Sequence, residues 1–99
     1  RVTTMLFEWD EAKDAANRAK HGIGFDRAVR VFFEPNVEIV GKPGPDGERR
    51  TVTIGRIDGL LVVAVAHTDR RGVSRLISAR PAGRKERRIY HGTHGPGEA

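Results

Sequence analysis

Residues Arg75–Tyr90 read RLISARPAGRKERRIY, and the reading of this stretch decides the fold. Its first part, continuing from Val73, has the composition of a buried strand that ends at Ala79. Strict alternation puts Arg75, Ile77 and Ala79 on one face and Leu76, Ser78 and Arg80 on the other. Pro81 stops the strand. Gly83 then takes an N-cap position with Glu86 three residues on, a degenerate capping box that opens a short helix. That helix is expected to run to about His91 and to close at Gly92. Ile89 is its one clearly apolar residue, with Ala82 in support. Six cations, Arg75, Arg80, Arg84, Lys85, Arg87 and Arg88, stand here against the single acid Glu86. A rigid strand that delivers guanidinium groups to a helix start suits the handling of phosphate.

Upstream of this segment the periodicity changes twice. Met5–Trp9 (MLFEW) reads as a first edge strand. Asp10 follows as an N-cap, with Glu11 in a first turn that favours negative charge. Ala12, Ala15, Ala16 and Ala19 recur at helical spacing, so a smooth alanine stripe is expected to pack closely on another element. His21 lies in the last turn and Gly22 is the C-cap. Asp26 has the look of a second N-cap, before a helix whose apolar face is Ala28, Val29, Phe32 and Phe33. Pro35 ends it, since the residue before a proline is pushed out of the helical region.

From Val37 the period is two. Val37, Ile39 and Val40 form a short strand. Gly41–Glu48 (GKPGPDGE) is a loop. Arg50, Val52 and Ile54 alternate with Thr51, Thr53 and Gly55 in a half-buried strand, and the Arg49, Thr51 and Thr53 side is the more polar. Asp58-Gly59 is a strong hairpin signal, because a type I′ turn needs positive φ at both central positions. Leu60–Ala66 (LLVVAVA) is apolar on both faces and central. His67–Gly72 is expected to be a second turn. The element order is strand, helix, helix, four strands, helix. The expected class is α+β: a mainly antiparallel sheet of four to five strands, two N-terminal helices, one basic C-terminal helix, and helices against one sheet face. The domain is expected to span residues 1–92, with a disordered Gly/Pro-rich tail over 93–99.

Composition narrows the function classes. The chain has 99 residues and a net charge of +5. Its sequence pI is about 10.4. Acidic partners are therefore favoured, with nucleic acid or an acidic protein foremost, although a solvated basic surface explains the same charge. There is no cysteine, which removes disulfides and thiolate metal sites. Leu60–Ala66 is far too short to span a bilayer and no signal peptide is visible, so a cytoplasmic protein without membrane attachment is expected.

Three stretches carry a resemblance to a known family: FEWDEAKDAANRAKHGIGF at residues 7–25, the DRAVRVFFEP that follows, and RLISARPAGRKERRIY. Together they resemble the BrnT family of bacterial toxins, which has a RelE-like ribonuclease fold. Gly83 departs from the family, where Ser or Thr is commoner. The resemblance implies a metal-independent endoribonuclease of a type II toxin–antitoxin system that cleaves RNA and so inhibits translation. It implies no cofactor. A BrnA-like DNA-binding antitoxin would neutralise the toxin in a hetero-oligomer, and contact with DNA would pass through that antitoxin. The rival reading is a non-catalytic basic module that binds nucleic acid or an acidic protein.

Metal-free RNA cleavage needs a proton taken from the 2′-hydroxyl, stabilisation of the phosphorane, and a proton for the leaving oxygen. Arginine suits the second task and histidine the other two. Arg80, His67, Arg49 and Arg84 are the candidate catalytic residues. Arg88, Arg75, Arg50, Lys20 and His21 are the candidate RNA contacts. Asp69 could orient His67 for proton transfer. Each has a plainer alternative: Arg80 as the partner of Glu86, Arg84 and Arg88 as a solvated helix face, His67 as a simple strand cap, His21 as cover for a helix end. His91 and His94 are not expected to hold a metal.

Overall fold

A computed structural model describes residues 6–59 and 61–94. Five strands form one mixed sheet: β1 (Leu6–Glu8), β2 (Asn36–Val40), β3 (Thr51–Ile57), β4 (Leu61–Arg70) and β5 (Val73–Pro81), in the spatial order β1-β5-β4-β3-β2. All neighbours are antiparallel except β1 and β5, which run parallel. Helix α1 spans Glu11–His21, and α2 (Phe25–Ala28) continues into a 3-10 segment, Val29–Phe33. Helix α3 spans Arg84–His94. The expected α+β class and element order hold.

Helices cover both sheet faces rather than one. On the first face Ile23, Phe25, Ala28 and Val31 pack on Ile57, Val63, Val65, Leu76 and Ala79. On the second, Tyr90 of α3 and Ala82 pack on Ile54, Val62 and Ala64. β4 supplies both clusters, as its unbroken apolar run requires. Gly55 admits the 3-10 segment: a Cβ there would lie 2.5 Å from Val31 Cγ2.

Several expectations shift. Asp58 and Gly59 do have positive φ, 54° and 75°, but Leu61 pairs with Ile57. Leu60 and Met5 lie outside the described residues. β4 runs on through His67 and Thr68, and the turn is Arg71-Gly72, both at positive φ. Gly24, not Asp26, caps α2, and Phe33 is left 64 % exposed. α3 passes through Gly92 to His94, so 93 and 94 are not tail. His94 Nε2 lies 2.8 Å from the Asn36 carbonyl oxygen and its ring packs on Tyr90, which anchors the last turn. Residues 95–99 are outside the described residues.

The largest correction concerns α1. Asp10 caps it as expected, accepting from the Ala12 and Lys13 amides, and Gly22 at φ 73° closes it. Its alanine stripe, however, is exposed, and the buried residues are Asp14 and Asn17. The Asn17 amide accepts from the Ala79 N–H at 3.0 Å and donates to the Ala79 and Ile23 carbonyls at 2.7 and 2.8 Å. Asp14 accepts from the Phe25 N–H at 2.7 Å. A buried polar set that satisfies backbone groups outweighs the apolar contact four methyl groups could make, because each such group left unpaired costs about 1–3 kcal/mol. Asn17→Ala is therefore expected to lower the unfolding free energy by about 3 kcal/mol. Urea denaturation checks this, and a loss below about 1 kcal/mol would mean that other groups satisfy the edge.

Candidate active site

Strand β5 carries an irregularity that shapes the site. Ala66 pairs with Ser78, but His67 pairs with Leu76, so Ile77 is an extra residue opposite the Ala66–His67 step. The bulge breaks the alternation expected for this strand. Leu76 and Ala79 both enter the first core, while Arg80, opposite Ala64, belongs to the α3 side.

A groove of about 440 Å³ opens on the α3 side of the sheet. Val52, Ala66, Ile77 and Ser78 line it together with Arg50, Lys42, Arg80 and Glu86. A shallower depression, lined by Lys13, Asn17, Lys20 and His21, shares Ile77 and Ser78 with it. The last turn of α1 and the start of α3 thus flank one stretch of β5. The site has basic groups on both banks and a serine hydroxyl in its floor.

Arg80 is the most firmly held of these groups. Its two terminal nitrogens each donate to one Glu86 oxygen at 2.7 Å. Glu86 Oε1 also accepts from the Gly83 N–H at 2.8 Å, so the degenerate capping box forms. The Arg80 bonds, helped by that N–H, hold the Glu86 carboxyl below the ordinary carboxylate range, and they raise the Arg80 pKa further. Arg50 is half-buried beside Glu48, with its Nε lacking a hydrogen-bond partner. That Nε is itself buried, 3.8 Å from Glu48 Oε1, so Arg50 offers the groove its charge rather than a free donor.

The other expected site residues fall into two groups. Arg84 stands exposed on α3 beside a neighbouring groove, and Lys20 and His21 lie on the α1 bank. His67, Arg49, Arg75 and Arg88 are not brought to the groove. His67 is buried on the opposite face, where its Nε2 is 2.7 Å from Thr53 Oγ1 and its ring meets Phe32 edge-on. The supposedly polar Thr51–Thr53 face is thus core, with Thr53 fully buried. Arg49 borders a separate depression with Thr68 and Asp69. Arg75 donates to Glu8 at 3.1 Å, tying β5 to β1. Arg88 is exposed on α3. Lys42, Ser78 and Lys13 were not candidates from the sequence. Lys42 sat in a segment readable only as loop, and Ser78 was hidden by the unforeseen bulge.

A family model described as the ribonuclease toxin BrnT of type II toxin–antitoxin systems matches residues 9–86. The chain belongs to the BrnT toxin family. A crystal structure of the Brucella abortus ribonuclease toxin BrnT is similar, with a TM-score of 0.63 and 31 % identity. The match covers 82 % of this chain and 100 % of that one. No curated protein sequence matches the chain. The part of the chain that matches the BrnT family model includes both banks of the groove, from Lys13 to Glu86.

Two titrations follow from the geometry. Burial holds the His67 pKa below 6.5, against a smaller opposing effect of the Glu38 charge. The folded state therefore prefers the neutral ring, and this contribution is present above pH 6.5 and lost as the pH falls below it. Glu86 behaves likewise from its ordinary value of 4.5 downward. Stability is expected to fall in two steps on acidification. In urea titrations at successive pH values, His67→Gln should remove the first step. Glu86→Gln should shrink the second without abolishing it, since Arg27, with Arg30, also holds Asp58 low. A single acid transition unaffected by His67→Gln would contradict the assignment.

Proposed function

We propose that the chain is a metal-independent endoribonuclease that cleaves RNA in the groove between α1 and α3. The observation that carries this reading is the meeting of Arg50, Arg80 and Lys42 with the His21–Lys20 turn around Ser78. Cations on both banks suit a phosphodiester backbone lying across β5, and fixed guanidinium groups suit the charge that develops on a pentavalent phosphorus. Arg80 is presented rigidly by Glu86, which limits the reorganisation needed to meet that charge. Glu86 itself, ionised and doubly bonded by Arg80, is a weak base. His21 lines the depression that shares Ile77 and Ser78 with the groove, and we assign it the proton transfer that the sequence suggested for His67. Arg84 and Arg88 extend the cationic surface toward the flanking nucleotides.

In this reading a BrnA-like antitoxin neutralises the toxin in a hetero-oligomer, and DNA is contacted through the antitoxin. The site of action is the cytoplasm. Among the described residues no helix is long and apolar enough to cross a membrane.

The deciding experiment expresses the chain alone and follows growth and RNA integrity, then repeats cleavage with purified protein and a chelator. Growth arrest with chelator-insensitive cleavage is expected. Arg80→Ala should lower the cleavage rate by about tenfold to a thousandfold, and Arg50→Ala by less. His21→Gln should cost about a hundredfold or more and alter the pH profile. Wild-type protein that binds RNA without cutting it would favour a binding module, which the occupied fork of Arg80 would then explain.

A further inference from the structure

A second groove, of about 580 Å³, runs between β2 and the first turns of α3. Its floor is aliphatic, with Ile39 at the sheet edge and Ile89, 40 % exposed, on the helix. Its rim is cationic. Arg84 and Lys85 line it, and Arg88 lies one turn beyond Arg84. All three are exposed and make no ion pair among the described residues. This contrasts with the first groove, where Arg80 and Arg50 each have an acid at hand.

Nucleic acid suits the floor of this second groove poorly. Its phosphates could use the cations, but its bases stack on aromatic rings, and the groove lining has none. An aliphatic floor between unpaired cations complements a protein segment with apolar side chains on one side and carboxylates on its borders. The two grooves also share Ile39, Arg80 and Glu86, so an occupant of the second lies over the mouth of the first.

We propose that this groove is the docking site of the antitoxin. An acidic amphipathic segment seats apolar side chains between Ile39 and Ile89, sets carboxylates against Arg84, Lys85 and Arg88, and inhibits by covering Arg80. The proposal rests on the toxin–antitoxin reading above and adds the surface and the chemistry of the partner.

The probes are the purified antitoxin, expected from a small reading frame beside the toxin gene, and a single-stranded RNA oligonucleotide. Ile89→Asp and Lys85→Glu are each expected to weaken antitoxin binding by about tenfold or more. Ile89→Asp should leave RNA cleavage within about twofold of wild type, because the floor makes no phosphate contact. Thermal unfolding checks each variant. Lys85 is exposed, so Lys85→Glu decides the matter should Ile89→Asp not fold. Antitoxin bound by both folded variants as tightly as by wild type would overturn the docking site and leave the toxin reading standing. Loss of RNA cleavage in Ile89→Asp with antitoxin binding intact would assign the groove to RNA and overturn the proposal. An antitoxin that fails to bind even the wild-type chain would sink the toxin–antitoxin reading itself.

Discussion

The amide of Asn17 holds this structure together. Among the described residues β1 pairs with β5 only from Val73 to Arg75, and the rest of the β5 edge has no strand beside it. Unpaired backbone groups at that edge would be a cost and an invitation to aggregation. Asn17 meets the edge at Ala79, donating and accepting as a neighbouring strand would, and its second donor reaches Ile23. Asp14, one turn earlier, fixes the start of α2 through Phe25. With these bonds made, α1 has one possible seat, and its last turn must lie beside Ile77 and Ser78. The position of Lys20 and His21 is a consequence of an amide bonded to backbone groups of Ile23 and Ala79.

The bulge in β5 is the second constraint. Without Ile77 as an extra residue, the face that holds Leu76 would turn Ala79 outward and Arg80 inward, into the first core. Buried there, a guanidinium would need a partner that this apolar cluster does not offer. The bulge lets β5 give Leu76 and Ala79 to one side while Ser78 and Arg80 line the groove on the other. Bulges commonly stand where a strand must re-aim a side chain next to a site.

How far the sequence revealed this follows from the kind of signal involved. Local chemistry was readable: Asp10 and Gly22 at the ends of α1, positive φ at Asp58-Gly59, Glu86 closing on Gly83, and the two-sided burial of β4. Arg80 stood out because it sits between a strand end and a helix start. The failures are all tertiary. Ala12, Ala15, Ala16 and Ala19 have the spacing of a packing face, but periodicity cannot register that Asp14 and Asn17 satisfy backbone groups far along the chain. His67 looked like a turn residue because polar neighbours follow it. Four more pairs with β5, from His67–Leu76 to Arg70–Val73, and a bond to Thr53 carry it instead into the core. The polar face assigned to Thr51 and Thr53 failed for the same reason, since a threonine hydroxyl with a buried partner is as acceptable inside as outside.

What remains is the arrangement of charge around the groove. Glu86 neutralises Arg80 and fixes its plane, and Glu48 stands 3.8 Å from Arg50. A phosphate entering the groove therefore competes with carboxylates already in place, and gains most where its own charge is greatest. A group held this way favours a transition state over a ground state, because only the more highly charged species repays displacement of the carboxylate. Arg84, Lys85, Arg87 and Arg88, by contrast, have no acid partner among the described residues. Their field reaches into solvent over about 8–10 Å at physiological ionic strength and acts on any polyanion that approaches. Net charge and site charge thus serve different steps. If the groove cleaves RNA as proposed, the outer face of α3 acts on the encounter with any polyanion, and the self-neutralised pair beneath it acts after contact.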